Sequence, residues 1–272
     1  MTEAQMPKPQ VTLSQIQELY AKAKTQDKLH VIVVGQKGNG KTQLATTCPF
    51  PVLMFSFDPQ GTSVIRSKFP HLLEKTKEFP SGKIIVDLYE EDDIDNPQSY
   101  KRFRSNLARY RKEGLFTQVK TVVLDTMSVM SQRMIWQIMK KEGRSLAGVN
   151  SKSDKRMHGM QIQDYDTVLN FNIIVANQLA TLPCHTIITS HMKKDKDELT
   201  GGTDWAMALP GQSQTKVPEY VPEFYYLSLD GKGKRILNTA GTGSFHGSTR
   251  LKLDKEEPAD ISALIKKAGL EL

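Results

Sequence analysis

Residues Gly35-Gln36-Lys37-Gly38-Asn39-Gly40-Lys41-Thr42 set out a glycine, four residues, and then Gly-Lys-Thr, the spacing of a phosphate-binding P-loop. Small residues at such a turn let successive backbone N–H groups converge on phosphate oxygens, and a helix starting at its end adds partial positive charge. In that arrangement Lys41 reaches the β- and γ-phosphates and the Thr42 hydroxyl ligates Mg²⁺. The candidate cradle therefore comprises Gly35, Gln36, Lys37, Gly38, Asn39, Gly40, Lys41, Thr42 and Gln43, and it calls for a nucleoside triphosphate with Mg²⁺.

Three further polar residues close apolar runs. Val122-Val123-Leu124-Asp125-Thr126 has the pattern of a Walker B strand, whose terminal carboxylate holds Mg²⁺ through its water shell opposite the P-loop hydroxyl. Thr42 and Asp125 are thus the metal candidates. Val52-Leu53-Met54-Phe55-Ser56-Phe57 runs into Asp58-Pro59-Gln60-Gly61, and His185-Thr186-Ile187-Ile188-Thr189-Ser190 ends at His191. In an open α/β sheet ligands gather beyond the carboxyl ends of the strands, which puts Asp58 on the rim of the cradle. His191 reads either as a γ-phosphate sensor or as a structural loop histidine.

These residues need elements to hold them. Leu29–Val34 reads as a strand feeding the cradle, and the helix from Lys41 must stop before Pro49 and Pro51, because proline disfavours helical backbone in the residue before it. Val52–Phe57 is apolar enough to be buried on both faces of a parallel sheet. Lys83–Leu88 is a third strand and Glu90–Asp95 a solvated acidic loop. In the helix predicted over Gln98–Lys112, Phe103, Leu107 and Tyr110 mark the buried stripe and the basic residues face outward. Helices are predicted over Ser128–Lys141 and Tyr165–Leu182. Glu223–Leu229 and Lys234–Thr239 flank Asp230-Gly231-Lys232-Gly233, a hairpin signal. Ser14 with Gln17 predicts a capping box for a lead-in helix over 14–24, and Pro258–Ala268 predicts a closing amphipathic helix. The alternation implies an α/β fold, a doubly wound, mostly parallel sheet with a C-terminal β-hairpin extension. The expected division is an arm and lead-in helix over 1–28, a core over 29–252 and a helical tail over 253–272.

The 272 residues are 38% hydrophobic and 25% charged, with no apolar run approaching the roughly 18 residues of a membrane span. The first residues lack the basic-then-apolar order of a signal peptide, so a cytoplasmic protein with no membrane partner is expected. Two cysteines, Cys48 and Cys184, exclude a disulfide framework and read as buried thiols. The net charge of +7 is compatible with a polyanionic partner. Two polar stretches are long enough to be binding loops: 142–159, with Arg144, Lys152, Lys155 and Arg156, and 192–222, with Lys193, Lys194 and Trp205. Their cations suit a phosphodiester backbone and the indole suits a stacked base. Each also reads as a plain solvated loop, and Trp205 as a buried anchor.

The class of nucleotide protein narrows by what is missing. Met192-Lys193-Lys194-Asp195 lacks the Asn of a guanine-reading Asn-Lys-x-Asp, which argues against a GTPase. Lys37 stands four residues before Lys41, not the five of a partition-type ATPase, and the later loop is not the arginine-rich lid of a small kinase. Gly35–Thr42, Phe57-Asp58-Pro59-Gln60-Gly61-Thr62, Val122–Thr126, Thr189-Ser190-His191 and Ser248-Thr249-Arg250 together resemble the RecA-like ATPases. The resemblance is closest to the phage RecA-like single-strand annealing and recombination proteins and covers roughly residues 29–252.

That resemblance implies hydrolysis of ATP with Mg²⁺, with Lys41 on the phosphates and Asp58 activating water, where many relatives carry the longer Glu. It implies homo-oligomers on single-stranded DNA with ATP at subunit interfaces, and a basic residue, Arg250 with Lys252 behind it, that approaches the neighbour's γ-phosphate. A single-strand DNA-binding protein is a further partner it implies, and the bacterial host cytoplasm is the location for a phage-encoded chain. Two rival readings remain open: a P-loop ATPase of a protein-remodelling or packaging machine without direct DNA binding, and a nucleotide-binding regulatory module that does not hydrolyse.

Overall fold

The computed structural model describes residues 12–22, 27–144, 160–196, 203–241, 245 and 247–272. Among them a nine-stranded sheet is ordered β3-β2-β4-β5-β1-β7-β8-β9, with β6 paired to β5 off this path. The strands are β1 His30–Gly35, β2 Val52–Ser56, β3 Ile84–Leu88, β4 Thr121–Asp125, β5 His185–Lys196, β6 Thr203–Met207, β7 Glu223–Leu229, β8 Arg235–Asn238 and β9 Glu256–Pro258. From β3 to β7 every neighbour is parallel, and antiparallel pairing begins with the β7–β8 hairpin. β1, β2 and β4 are buried along their whole length, as a sheet covered on both faces requires.

Alternate residues of each strand enter two separate cores. Ile32, Val34, Leu53, Phe55, Val122, Leu124 and Ile188 meet helices α3 Ser99–Lys112, α4 Met127–Lys141 and α5 Ile162–Ala180. Val31, Val33, Val52, Met54, Val123 and Ile187 meet the short segment after the P-loop, α2 Pro59–Lys68 and α7 Ile261–Lys267. This is the doubly wound arrangement expected from the alternation. The stretch read as a tail, 253–272, belongs to the same body: β9 extends the sheet, and Ile261, Leu264 and Ile265 of α7 are buried in the second core.

Local chemistry explains where the helices begin. Asp58 caps α2, accepting from the Gln60 N–H at 3.0 Å, and Pro59 occupies the first helical position, where a missing N–H costs nothing. The acidic loop read as merely solvated has a structural duty. Glu91 accepts from the N–H groups of Gln98 and Ser99 and from the Ser99 hydroxyl, capping α3, and these bonds hold its carboxyl below the usual range although burial opposes them. At α1, Leu13–Lys22, the cap lies two residues earlier than predicted. Thr12 and Gln15 exchange the reciprocal bonds of a capping box, Thr12 N to Oε1 at 2.8 Å and Gln15 N to Oγ1 at 3.3 Å.

The largest departure lies beyond His191. The sequence predicts a loop from Met192 to Pro222, but β5 continues to Lys196 and pairs antiparallel with β6, followed by the single turn α6 Ser213–Lys216 and a 3₁₀ segment Val217–Tyr220. Charged residues alternating along 193–196 mask a strand, because the apolar contacts of this ribbon come from Trp205 and Met207 on β6.

Candidate nucleotide site

β1 ends at Gly35, which pairs with His191 of β5 on one side and Leu227 of β7 on the other. Gly35 is demanded by packing, since a Cβ there would stand 2.9 Å from the Leu227 carbonyl. Gln36, Lys37 and Gly38 are exposed, while Asn39 and Gly40 are half-buried. Gly38 and Gly40 have φ of +90° and +93°, the left-handed backbone that a cradle turning its N–H groups inward requires. The helix expected after Lys41 is a six-residue 3₁₀ segment, Thr42–Thr47, that holds Gln43 half-buried, so any helix dipole at the cradle is short.

Lys41 is buried, and its Nζ donates to the carbonyls of Gly35 at 2.8 Å and Gln36 at 2.9 Å, closing the loop on itself. Burial lowers its ammonium to about 8, with Asp125 and Asp58 pulling it back up. β5 lies between the P-loop strand and the Walker B strand, so its carboxyl end stands between the cradle and the acid.

Asp125 is fully buried at the end of β4. Its Oδ2 accepts from Thr42 Oγ1 at 2.7 Å, and its Oδ1 accepts from Thr189 Oγ1 at 2.6 Å. Burial raises its carboxyl above the ordinary range, the two hydroxyls and Lys41 oppose this, and Asp58 adds to it.

The hydroxyl and carboxylate are hard oxygen donors of the kind Mg²⁺ takes. Gly61, in the first turn of α2, borders them: a Cβ there would stand 3.0 Å from Asp125 Oδ2 and 3.1 Å from Thr42 Oγ1. The side chain missing at Gly61 leaves the room that a hydrated cation beside those two atoms would take. Among the described residues no cluster of three or more His, Cys, Asp or Glu side chains could hold a metal, so the remaining ligands would come from water and phosphate. The residues fit Mg²⁺ bound with a nucleotide.

Asp58 is half-exposed beside this centre, close enough to raise Lys41 and Asp125, with one oxygen committed to capping α2. His191 is half-buried. Burial lowers its ring pKa, Lys41 and Lys37 lower it further, and Asp58 opposes them. Its backbone N–H donates to Ser128 Oγ at 2.8 Å, tying the end of β5 to the first turn of α4. Lys41, Thr42, Asp58, Asp125 and His191 thus converge on one rim.

Arg250 lies elsewhere. Its N–H donates to the fully buried carboxylate of Glu223, which also accepts from Tyr225 and Thr249. Glu223 pairs at the level of Val31, four residues or about 13 Å down β1 from Gly35, so the exposed Arg250 is at the far end of the sheet from its own cradle.

The residues proposed for nucleic acid divide. Lys152, Lys155 and Arg156 lie outside the described residues. Lys193 and Lys194 are exposed on β5. Trp205 pairs with Lys194 across the β5–β6 ribbon, packs partly on the first core, and has the Lys194 ammonium 5.4 Å from its ring centroid. Arg144 is a correction. It is buried and forms a bidentate ion pair with Asp164, Nη2 to Oδ1 at 2.8 Å and Nη1 to Oδ2, joining the end of α4 to the start of α5. A guanidinium committed in this way serves the fold rather than a phosphate backbone.

Four residues of the rim have no individual role assigned from the sequence: Thr189, Ser128, Gly61 and Arg235. Thr189 had a signal, a hydroxyl near the end of an otherwise apolar strand, and Gly61 belongs to the acidic exit already marked. Ser128 and Arg235 had none, because their positions depend on how strands are ordered. Arg235, on β8, donates from Nε to the Asn39 carbonyl at 3.0 Å.

The profile of the AAA-domain family matches residues 27–251. Among curated proteins no sequence matches. Among solved structures the chain is similar to a prototypical ATPase from the type III secretion system of pathogenic bacteria, at 9% identity and a TM-score of 0.44, covering 73% of this chain and 50% of that one. It is also similar to a KaiC-like protein from the hyperthermophilic archaeon Pyrococcus horikoshii OT3, at 15% identity and a TM-score of 0.40, covering 76% of each. The chain thus spans half the length of the secretion ATPase.

Proposed function

This chain belongs to the AAA-domain family, and from that premise we propose that it is a Mg²⁺-dependent ATPase acting on single-stranded DNA in recombination, annealing or replication of the phage type. The observation that carries the ATPase is the hydrogen bond from Thr42 Oγ1 to Asp125 Oδ2, which puts the P-loop hydroxyl on the Walker B carboxylate. Mg²⁺ held there would neutralise charge on the phosphate oxygens. The glycine turn presents backbone N–H groups, Lys41 supplies a buried cation, and Asp58 orients the attacking water with the oxygen not used in capping α2. His191, at the end of β5, reports the γ-phosphate to Ser128 and the ribbon. Positioning and charge stabilisation do the work.

The DNA half of the reading is supported by continuity. The strand whose Thr189 bonds Asp125 runs on into the ribbon that carries Lys193 and Lys194. The test is turnover of ATP with and without single-stranded DNA, together with binding of a labelled strand at several salt concentrations. Stimulation, and affinity that falls with salt as phosphate contacts demand, are expected. Turnover indifferent to DNA, with no strand bound, favours the protein-remodelling reading. Two observations lean that way, the pairing of Arg144 with Asp164 and the lysine already over Trp205.

The far placement of Arg250 supports oligomers in which it serves a neighbour's nucleotide. Mixing R250A with K41A protein tests this. Each is expected to be inactive alone, and the mixture to regain part of the activity, because a K41A subunit still offers Arg250 to an R250A cradle. A mixture as inactive as its components removes the trans assignment.

A further inference from the structure

The C-terminal hairpin delivers a side chain to the phosphate loop of its own chain. Arg235 pairs with Leu229, two positions beyond the β7 residue that faces Gly35, so it stands at the level where the loop leaves the sheet. Its Nε donates to the Asn39 carbonyl at 3.0 Å. The guanidinium lies against Gly40: a Cβ built there would stand 2.2 Å from Nε and 3.0 Å from Cζ. Asn39 is also tied to β7, its Nδ2 donating to the Leu227 carbonyl at 2.9 Å. Glycine at position 40 is therefore required twice, by its φ of +93° and by the arginine beside it.

We propose that Arg235 is a positioning residue for the nucleotide, fixing the Asn39–Gly40 peptide so that the Gly40 N–H points into the cradle. A trans peptide is planar, with its C=O and N–H on opposite sides. Pinning the Asn39 carbonyl to a cation on the hairpin side turns the Gly40 N–H the other way. The charged donor also polarises the peptide and strengthens the N–H as a donor. Gly38 and Gly40 would otherwise leave this part of the loop free to move, and that freedom would be lost on binding phosphate. Sheet pairing transmits the arrangement, since β7 flanks β1 and carries β8 beside it.

The inference rests on the reading of Gly35–Thr42 as an ATP site, and its test separates the two. Fluorescent ADP and ATP analogues are titrated with Mg²⁺ into wild type, K41A, R235A and R235K, with melting temperature as the check on folding. R235M, which keeps the aliphatic stem and removes the donors, carries the comparison if the alanine variant folds poorly. Because the peptide serves phosphates common to both nucleotides, R235A is expected to weaken ADP and ATP equally, about tenfold, the usual effect of losing a charged hydrogen bond. At saturating ATP its kcat should change less than about twofold. R235K can still reach the carbonyl with one donor and is expected to recover most of the affinity. Unchanged affinity in R235A and R235M overturns the proposal, as does a loss confined to ATP, which would make Arg235 a γ-phosphate ligand. A wild type that binds neither nucleotide overturns the ATP reading itself and this inference with it.

Discussion

The hydroxyl of Thr42 donates to Oδ2 of Asp125 at 2.7 Å although the two are 83 residues apart. Neither residue is a metal site alone. The parallel sheet brings them to one rim, and Gly61 keeps the space beside them clear.

Asp125→Asn keeps the size of the side chain and removes its charge. It is expected to lower kcat about a hundredfold, in the range seen when one electrostatic stabiliser is lost, while nucleotide binding without Mg²⁺ is little changed. Gly61→Ala should raise the Mg²⁺ concentration needed for half-maximal turnover without lowering the melting temperature by more than a few degrees. Magnesium titrations of turnover check both. An unchanged magnesium requirement in Gly61→Ala would show that the cation sits elsewhere.

Lys41 makes nucleotide affinity depend on pH. Its ammonium is lowered to about 8, so the unliganded protein loses this charge as pH rises through that value, whereas a bound phosphate retains the proton. The dissociation constant for ATP should be flat below pH 7.5 and then rise about tenfold per pH unit above 8. Lys41→Arg, charged throughout, should remove the rise even if it binds more weakly. Titrations between pH 6.5 and 9.5 decide.

The ion pair of Arg144 with Asp164 joins α4 to α5 inside the protein. Removing one partner leaves the other charge without its counter-ion, so Arg144→Ala is expected to cost about 1–3 kcal/mol in denaturant unfolding. Pairing it with Asp164→Ala should return part of that loss. The salt dependence of DNA binding should be the same in Arg144→Ala as in wild type. A shallower salt slope in the folded variant would return Arg144 to the DNA contacts.

His30 and His185 lie at the opposite end of the sheet and make the fold acid-sensitive. Both rings are buried and lowered from 6.5 to about 4, chiefly by desolvation, with Lys28 acting further on His185. His185 Nδ1 accepts from the Leu29 N–H at 3.0 Å, a bond that only the ring without a proton on Nδ1 can make. The unfolded chain takes up protons below pH 6.5 while the folded chain resists until about 4, so stability falls as pH drops through that window. Each ring contributes on the order of 3 kcal/mol. His30 Nδ1 has no hydrogen-bond partner, so His30→Leu should be tolerated at pH 7 and should flatten the pH dependence of the urea midpoint. A midpoint that stays level between pH 6.5 and 4.5 in wild type would contradict this account.

Much of the molecule was legible from local pattern, because a P-loop is a contiguous device. Its glycines, lysine and threonine are neighbours in the chain, and the apolar runs ending in Asp58, Asp125 and His191 mark strand ends on one rim of a parallel sheet. The buried stripe of α3 and the β7–β8 hairpin follow from periodicity and turn chemistry in the same way. Other features belong to no single stretch. Thr189 reaches Asp125 because β5 is inserted between β1 and β4, and strand order is set by how whole faces pack. Arg144 reads as a loop cation until α5 brings Asp164 to it. Arg235 reads as one more charge after a turn until β8 places it against Gly40, while Arg250, nearer the end of the resemblance, sits at the other end of the sheet. The sequence by itself determined which residues could bind phosphate. Only the tertiary structure decided which cation attends the loop in the same chain, because that depends on contacts between residues nearly two hundred positions apart.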